Sequence, residues 1–312
     1  MGRVYVLLAT VTLIAGLTPL AARMATRELP PLSLAAVRFG LAGTLLAVTV
    51  RLMRLPWPPV RLEARMFLVL GAICVPVNQV CYLFGVKLAN ASHAGVAYAM
   101  VPVFVFWISV VLGRTSPGGR LILATSLASL GATVVVLATG TRSIGAGSWS
   151  ETALWLLLGD GLLLAAAASW AMFVVLSQPV VRRFGAVPTL ATVFLAGTLL
   201  QLPLVVVDAI CFNLRHFDPS TLTWRGIAGF AYLTLITAYT NYLLWYLVVA
   251  RYDVTRSAVV TNSNFLVTVL AEAALFDQRL SWWVAPGCLL LLAGIALANP
   301  TSKSTNAAPA RA

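Results

Sequence analysis

The chain has 312 residues, of which 60% are hydrophobic and only 10% are charged, and its formal net charge is +12. Soluble globular domains have about 25% charged residues, so this composition excludes a protein whose whole surface faces water. The mean hydropathy is +0.93. Because the charges lie in clusters between apolar runs of about twenty residues, we predict a polytopic membrane protein.

Ten apolar runs follow one another along the chain, and we predict that each is a transmembrane helix. Only helices or closed barrels satisfy their backbone hydrogen bonds in lipid, and these runs lack the alternation of barrel strands. The predicted spans are 4–22, 32–50, 66–86, 94–112, 121–139, 158–178, 188–207, 227–249, 257–276 and 282–298. The first run resembles a signal peptide, but the nine spans after it favour an uncleaved helix.

Lys and Arg are distributed unequally between the two sets of connections. The set that includes both termini holds thirteen, namely Arg3, Arg51, Arg54, Arg61, Arg65, Arg114, Arg120, Arg182, Arg183, Arg251, Arg256, Lys303 and Arg311. The other set holds seven, namely Arg23, Arg27, Lys87, Arg142, Arg215, Arg225 and Arg279. Because cytoplasmic segments are enriched in these residues, both termini are predicted to be cytoplasmic.

The positive charge is thereby explained by topology and by attraction to lipid headgroups, and we predict no nucleic-acid partner. Arg greatly outnumbers Lys, which occurs only at Lys87 and Lys303. This imbalance is typical of a GC-rich bacterial genome and favours a bacterial inner membrane. The polar segment 301–312 is predicted to be a disordered cytoplasmic tail.

Two sequence patterns occur twice at nearly the same separation. The hexapeptide LAGTLL lies at 41–46 and again 154 positions later at 195–200. The pattern Asn-x-x-x-aromatic occurs at Asn78 and Tyr82 and again 163 positions later at Asn241 and Trp245. The longer connection between spans 7 and 8 accounts for the change in offset.

At the offset of 163, Gly131 also falls on Gly294 and Ser92 on Thr255. We therefore predict two copies of a five-helix unit, at 1–140 and 141–300. An odd number of helices per unit makes the second copy enter the membrane from the opposite face. The predicted fold is an all-α integral membrane protein of ten transmembrane helices, arranged as two inverted five-helix repeats around a central cavity.

Several stretches resemble a known family. They are Pro31–Arg38 at the start of span 2, Tyr82–Val86 with Ala91–Gly95, Val101–Phe104 with Leu112-Gly113, Gly159-Asp160 with Trp170-Ala171, and Gln278–Ser281 with Gly287 and Leu292–Gly294. In this order they resemble the drug/metabolite transporter (DMT) superfamily, specifically its ten-helix EamA-type exporters. The chain departs from the family pattern at Arg114 and Gln278, and Asn264-Phe265 stands in place of the span 9 proline.

Polar and aromatic residues deep in the spans are the candidates for substrate binding, because unpaired polar groups are costly in lipid and therefore face the bundle or a wet cavity. The predicted binding residues are Asn78, Gln79, Tyr82, Tyr98, Trp170, Asn241, Tyr242, Trp245, Asn262 and Asn264. A wall of rings and neutral amides suits an amphipathic small molecule. The alternative is helix–helix packing, in which amides bond across spans and rings fill the core.

Titratable residues within the spans are few. Arg38 could bind a substrate carboxylate, or it could snorkel or pair structurally. Glu272 and His93 are candidates for proton coupling, with an interfacial pair and a solvated cap as the alternatives. Asp160 is predicted to be the N-cap of span 6 rather than a proton relay. No spacing indicates a metal, and no cofactor is predicted.

These features favour a secondary transporter over an enzyme. The resemblance implies a carrier that exports small metabolites, such as amino acids or related amphipathic compounds, by alternating access. Uptake, or exchange of nucleotide-like or sugar-phosphate metabolites, is the alternative. An integral-membrane enzyme would need a clustered nucleophile, acid/base pair or metal set, and the sequence shows none. The expected partners are a small-molecule substrate and the lipid bilayer, with the protein a monomer or a weak homodimer.

Overall fold

The computed structural model describes residues 2–89, 91–140, 151–211, 218–276, 282 and 284–298, and this part of the chain contains helices and connections but no strand. In the first half the helices are Gly2–Thr26, Pro31–Leu52, Ala64–Leu88, Ala91–Ala99 with Val101–Val111, and Gly119–Gly140. In the second half they are Glu151–Phe184, Ala186–Cys211, Trp224–Arg251, Val254–Thr261 with Asn264–Phe276, and Val284–Ala298. We number these as spans 1 to 10.

Seven of these helices are long and apolar enough to cross a membrane. They are spans 1 to 4 and 6 to 8, while spans 5 and 10 contain the shorter apolar helices Gly119–Gly131 and Ala285–Leu297. The prediction of an all-helical, multi-span membrane protein is therefore confirmed. The predicted tail 301–312 lies outside the described residues.

Span 6 corrects one prediction. Its helix already includes Glu151, so Asp160 lies inside the helix and is not its N-cap. The helix extends through Leu154, Trp155 and the leucines after them, which have no helix-breaking residue among them. The predicted start at 158 is too late, because the helix continues on the N-terminal side of Gly159-Asp160 through these apolar residues.

The contacts between spans pair the two halves of the chain. Spans 2 and 7 pack together, as do spans 5 and 10, and in the predicted repeat each of these pairs would join a helix to its counterpart. Span 3 packs on span 6, and span 8 packs on span 1. Helices of both halves therefore form one bundle.

Two equivalent glycines show this relation at atomic scale. A Cβ added at Gly131 would lie 2.5 Å from the Gly287 oxygen and the Leu291 nitrogen. A Cβ added at Gly294 would lie 2.7 Å from the Ala124 oxygen and 2.6 Å from the Ala128 nitrogen. Residues 124, 128 and 131 have their counterparts at 287, 291 and 294, all at the offset of 163. The contact between spans 5 and 10 is therefore nearly self-symmetric.

The repeated hexapeptide provides a second close contact. A Cβ at Gly197 would lie 2.7 Å from the Gly71 oxygen, and one at Gly43 would lie 3.2 Å from the side chain of Leu195. Small residues in membrane helices allow neighbouring backbones to approach closely. LAGTLL is therefore part of the scaffold that joins spans 2, 3 and 7.

The helices are irregular at equivalent places. Span 3 contains a π-helical segment at Ile73–Val77, immediately before the asparagine of its Asn-x-x-x-aromatic pattern. Span 8 contains one at Tyr232–Asn241, which ends on the asparagine of the second pattern. Span 4 is interrupted at Met100 and span 9 between Thr261 and Asn264. In span 4 the break precedes Pro102, whose nitrogen has no hydrogen to donate. Irregular backbone in membrane proteins occurs where it is buried in protein or lines a cavity.

We expect Gly131→Ala to destabilise the protein because the new methyl group would collide with the backbone of span 10. Overpacking a close contact costs about 1–3 kcal/mol. Gly161→Ala is the matched control, since nothing lies within 4 Å of its added Cβ. The control should keep or gain stability, by about 1 kcal/mol from helix propensity. Thermal unfolding in detergent measures both changes, and equal effects of the two substitutions would contradict the assigned contact.

Candidate functional site

A cavity of about 120 Å³ lies between the two repeats. Its wall comes from spans 1, 2, 3, 4, 6, 8 and 9. The lining residues are Ala15, Thr18, Pro19, Arg38, Asn78, Gln79, Tyr82, Ala94, Gly95, Tyr98, Trp170, Thr237, Asn241, Tyr242, Asn264 and Thr268. Both repeats therefore contribute, as expected for a site at a repeat interface.

The cavity is displaced toward one side of the bundle. We call the side where span 1 begins the terminal face and the side where span 1 ends the far face. Thr18 and Pro19 lie in the second half of span 1 and Arg38 in the first half of span 2, so all three lie in the far half. The terminal half is filled by buried apolar side chains, among them Val105 and Val249.

Nine of the thirteen predicted site residues line this cavity. They are Arg38, Asn78, Gln79, Tyr82, Tyr98, Trp170, Asn241, Tyr242 and Asn264. Trp245, Asn262 and His93 lie elsewhere. The backbone of Glu272 belongs to the second helix of span 9, but its side chain lies outside the part of the structure that is described.

Asn78 and Gln79 fasten span 3 to span 6. The Asn78 Nδ2 donates to the Ala166 oxygen at 2.7 Å and to the Ser169 hydroxyl at 3.1 Å. The Gln79 Nε2 donates to the Asn78 Oδ1. This arrangement is the one expected if the Asn78 amide serves in helix–helix packing, which is the alternative to substrate binding. Gln79 nevertheless lines the cavity, and its buried Oε1 has no hydrogen-bond partner among the described residues.

The equivalent residues on span 8 are arranged differently. Asn241 lines the cavity, and its buried Oδ1 has no hydrogen-bond partner. Trp245 is 5% exposed and packs in the apolar core of the terminal half, with its Nε1 unpartnered. Span 8 runs from the far face toward the terminal face, whereas span 3 runs the other way. The residue one turn beyond the asparagine therefore lies in the terminal half in span 8 and in the far half in span 3.

Aromatic rings form the floor of the cavity. Tyr242 is 5.0 Å from Trp170 and 5.1 Å from Phe194, measured between ring centroids. Phe39 packs edge-on against Phe194 at 4.8 Å. On the opposite wall Tyr82 and Tyr98 are 5.5 Å apart in a T-shaped arrangement. Such edge-to-face contacts are favourable, and together they provide a rigid apolar surface for a ligand.

Arg38 is the charged residue of the cavity wall. The whole residue is 2% exposed, so its side chain does not snorkel to the surface as one alternative for it proposed. Its guanidinium carbon lies 4.9 Å from the centre of the Phe39 ring. Its Nε and Nη1 are buried and have no hydrogen-bond partner among the described residues. A buried cation whose N–H donors are open can bind an anion.

Span 9 contributes two polar residues next to its break. Asn264 lines the cavity, and so does Thr268, whose hydroxyl donates to the Gly16 oxygen at 2.6 Å. Asn262 lies outside the cavity and donates to the backbone oxygens of Ala99 and Ala128 at 3.3 and 3.4 Å. Asn262 therefore serves in helix packing, close to the axis that relates it to Ala99 at the offset of 163.

Sequence reasoning missed the contribution of span 1 and several small residues. The missed lining residues are Ala15, Thr18, Pro19, Ala94, Gly95, Thr237 and Thr268. Thr18 and Thr237 face each other across the repeat interface, with their hydroxyls 3.1 Å apart. Their sequence context offered little signal, because a Thr in a membrane helix commonly bonds back to its own backbone. Pro19 does interrupt the helical bonding of span 1, and that was a usable signal.

His93 and Asp160 form a pair outside the cavity. The His93 Nδ1 and the Asp160 Oδ1 are 2.7 Å apart, which joins span 4 to span 6 in the far half. The contact is an ion pair if the imidazole is protonated, and otherwise a hydrogen bond between the ring nitrogen and the carboxyl group. His93 is therefore neither the solvated cap residue nor a wall residue of the cavity.

Polar contacts also join the spans at the two faces. Toward the terminal face the hydroxyls of Ser177 and Tyr246 are 2.6 Å apart and buried, and the Arg183 Nη1 donates to the Glu63 Oε1 at 2.7 Å. At the far face the Glu28 carboxylate accepts from the Thr223 nitrogen at 2.8 Å and from its hydroxyl at 2.6 Å. Glu28 thus completes the N-terminal cap of span 8, where negative charge is favoured.

Comparison with known proteins places this geometry in context. A model of the EamA-like transporter family matches residues 2–137 and 157–299. An uncharacterized transporter of Archaeoglobus fulgidus is 25% identical over 275 residues, which cover 88% of this chain and 90% of the relative. The uncharacterized transporter YetK of Bacillus subtilis is 22% identical, with 98% and 89% covered. A solved crystal structure aligns with a TM-score of 0.70 over 94% of this chain and 95% of its own, at 19% identity, and so shares the fold.

We expect Glu28→Gln to lower thermal stability at neutral pH and to have no effect in acid. The hydrogen bonds from Thr223 lower the pKa of the Glu28 carboxyl below its ordinary value of 4.5. A lowered pKa means that the ionised form favours the folded state, so this stabilisation is present above about pH 4.5 and is lost as the pH falls below it. Melting curves of both proteins from pH 7 to pH 3 should converge. A difference that stays constant across this range would contradict the assignment.

Proposed function

The chain belongs to the EamA-like transporter family, and we propose that it is a secondary transporter that exports small amphipathic metabolites, such as amino acids or related compounds, by alternating access. The observation that carries this proposal is the cavity between the repeats. It combines a floor of aromatic rings with unpartnered amide oxygens of Gln79 and Asn241. Such a wall suits a ligand with an apolar part and a polar end.

Gradients or substrate exchange are the proposed energy source. The nucleotide-binding loop of P-loop proteins needs Gly-Lys followed by Ser or Thr, and neither lysine of this chain follows a glycine. Export into the periplasm of a bacterium, with both termini in the cytoplasm, fits the distribution of Arg and Lys. On this proposal the far face is periplasmic, and residues 1–140 and 141–300 are the two repeats.

The internal symmetry suggests how the cavity would change its exposure. If the repeats exchange conformations, residues in the terminal half would come to line the cavity in place of their counterparts in the far half. At the offset of 163, Trp245 would replace Tyr82, and Ser257 would replace Ala94. The Trp245 Nε1 and the Ser257 Oγ are both buried now without a partner. A wetted cavity on that side would hydrate both groups.

The transport proposal is tested by counterflow in proteoliposomes with labelled amino acids, amines and purines. Trp170→Ala and Asn241→Ala should change the rate or the selectivity among these substrates at least several-fold, because both side chains line the cavity. Trp107→Ala is the control, since this tryptophan is 52% exposed on the outside of the bundle. If the wild type transports a substrate and neither cavity variant differs from Trp107→Ala, the site assignment fails. If nothing is transported, the proposed function fails.

Exchange between the repeats predicts opposite labelling at two engineered thiols. Ser257→Cys and Gly95→Cys are each placed in a chain whose native cysteines, 74, 81, 211 and 288, are replaced by alanine. A membrane-impermeant thiol reagent should reach position 257 from the terminal face and position 95 from the far face. Conditions that raise labelling at one should lower it at the other. Active transport without any labelling at position 257 would contradict the exchange.

A further inference from the structure

Arg38 has the environment of a ligand-binding residue and lacks that of a structural one. The residue is 2% exposed and lies on the cavity wall. Among the described residues its Nε and Nη1 have no hydrogen-bond partner, and no acid lines the cavity. A charge taken out of water is normally paired, so this buried cation with open donors favours a ligand that brings the counter-charge.

The scaffold itself does not require a cation at this place. At the offset of 154 that relates span 2 to span 7, the counterpart of Arg38 is Thr192. Thr192 is also buried, and its hydroxyl donates to the Pro188 oxygen at 2.9 Å. A short neutral residue therefore fills the equivalent position of the fold. The positive charge belongs to one repeat only and makes the cavity electrically asymmetric.

Four of the described carboxylates have partners elsewhere. Glu28 bonds to Thr223, and Asp218 accepts from the Ser220 nitrogen. Glu63 pairs with Arg183 and Asp160 with His93. None of these four residues lines the cavity. The Phe39 ring centre lies 4.9 Å from the guanidinium carbon, and contact with a ring face uses none of the N–H donors of the cation.

We propose that Arg38 binds the carboxylate of the transported substrate. This inference rests on the proposed transport function and names the chemical class that the cavity selects. A guanidinium fork matches a carboxylate in two parallel hydrogen bonds. A single cation on the wall suits a substrate with one negative charge better than a phosphate or a dicarboxylate, which would leave charge uncompensated.

The rest of the wall specifies the other parts of the substrate. The unpartnered oxygens of Gln79 and Asn241 accept hydrogen bonds, so they favour a donor such as an ammonium or hydroxyl group. The rings of Trp170 and Tyr242 pack on an apolar group. On this proposal a substrate must carry a carboxylate, which binds Arg38. An amine is accommodated as well but is not required.

The test compares three probes that differ in their charged groups: phenylalanine, 3-phenylpropionate and phenethylamine. In counterflow, the wild type should transport the two carboxylates faster than the amine. Arg38→Gln should lower transport of both carboxylates at least tenfold and leave that of the amine unchanged or raised. Arg38→Lys keeps the positive charge but loses the forked guanidinium. Its rate of carboxylate transport should therefore lie between that of the wild type and that of Arg38→Gln. Arg51→Gln is the control, because Arg51 lies exposed at the end of the same span.

Thermal unfolding separates a binding role from a structural one. If Arg38 binds substrate, Arg38→Gln should melt at the same temperature as the wild type or higher, because it removes an unpaired buried charge. It should also lose the rise in melting temperature that 3-phenylpropionate gives the wild type. A lower melting temperature with unchanged selectivity would make Arg38 structural and overturn the inference.

The remaining outcomes are also distinct. Carboxylate transport that persists in Arg38→Gln would overturn the role of Arg38 and leave the proposed transport function standing. Transport of none of the three probes, together with no effect of 3-phenylpropionate on wild-type melting, would count against the transport function and the carboxylate site together. Stabilisation of the wild type by chloride alone would assign Arg38 to an inorganic anion and also overturn the proposal.

Discussion

The absence of hydrogen-bond partners in lipid is the constraint on which this structure depends. It forces the backbone into helices and turns polar side chains inward or back onto their own helix. The Thr44 hydroxyl, on the outside of span 2, donates to the Gly40 oxygen at 2.8 Å. Some buried polar atoms find no such partner among the described residues, and five of them belong to residues of the cavity wall. The open donors of Arg38 and the open oxygens of Gln79 and Asn241 all belong to the wall of the central cavity.

The same constraint explains why the sequence revealed the fold so readily. Apolar runs between charge clusters predict the helices, and the two offsets lead to the prediction of a repeat. The start of span 6 was the exception, since its helix already includes Glu151 outside the apolar run that was used to place it. The local sequence pattern is sufficient to predict helices that face lipid, because lipid offers the same apolar environment at every such position.

The candidate site was less predictable because its environment is other protein. Nine of the thirteen predicted site residues line the cavity, because polar and aromatic residues deep in the spans face the interior of the bundle. Trp245 was predicted because it is the counterpart of Tyr82. Span 8 runs opposite to span 3, however, so Trp245 is buried in the terminal half and Tyr82 lies in the far half. Asn262 was predicted because of its amide, but that amide already donates a hydrogen bond to the Ala99 oxygen. The threonines of spans 1 and 8 were missed because their hydroxyls can be satisfied locally in any helix.

The contact between spans 5 and 10, to which Gly131 and Gly294 both belong, has a further consequence. It has the form of an isologous interface, in which one surface meets a second copy of itself, but here both copies belong to a single chain. In a dimer of identical five-helix subunits, every substitution would be present twice and would face its own image. Within one chain each half can change alone while the shared interface keeps both halves in place. An arginine can therefore occupy a position whose counterpart is a threonine, so that a symmetric frame holds an asymmetric centre.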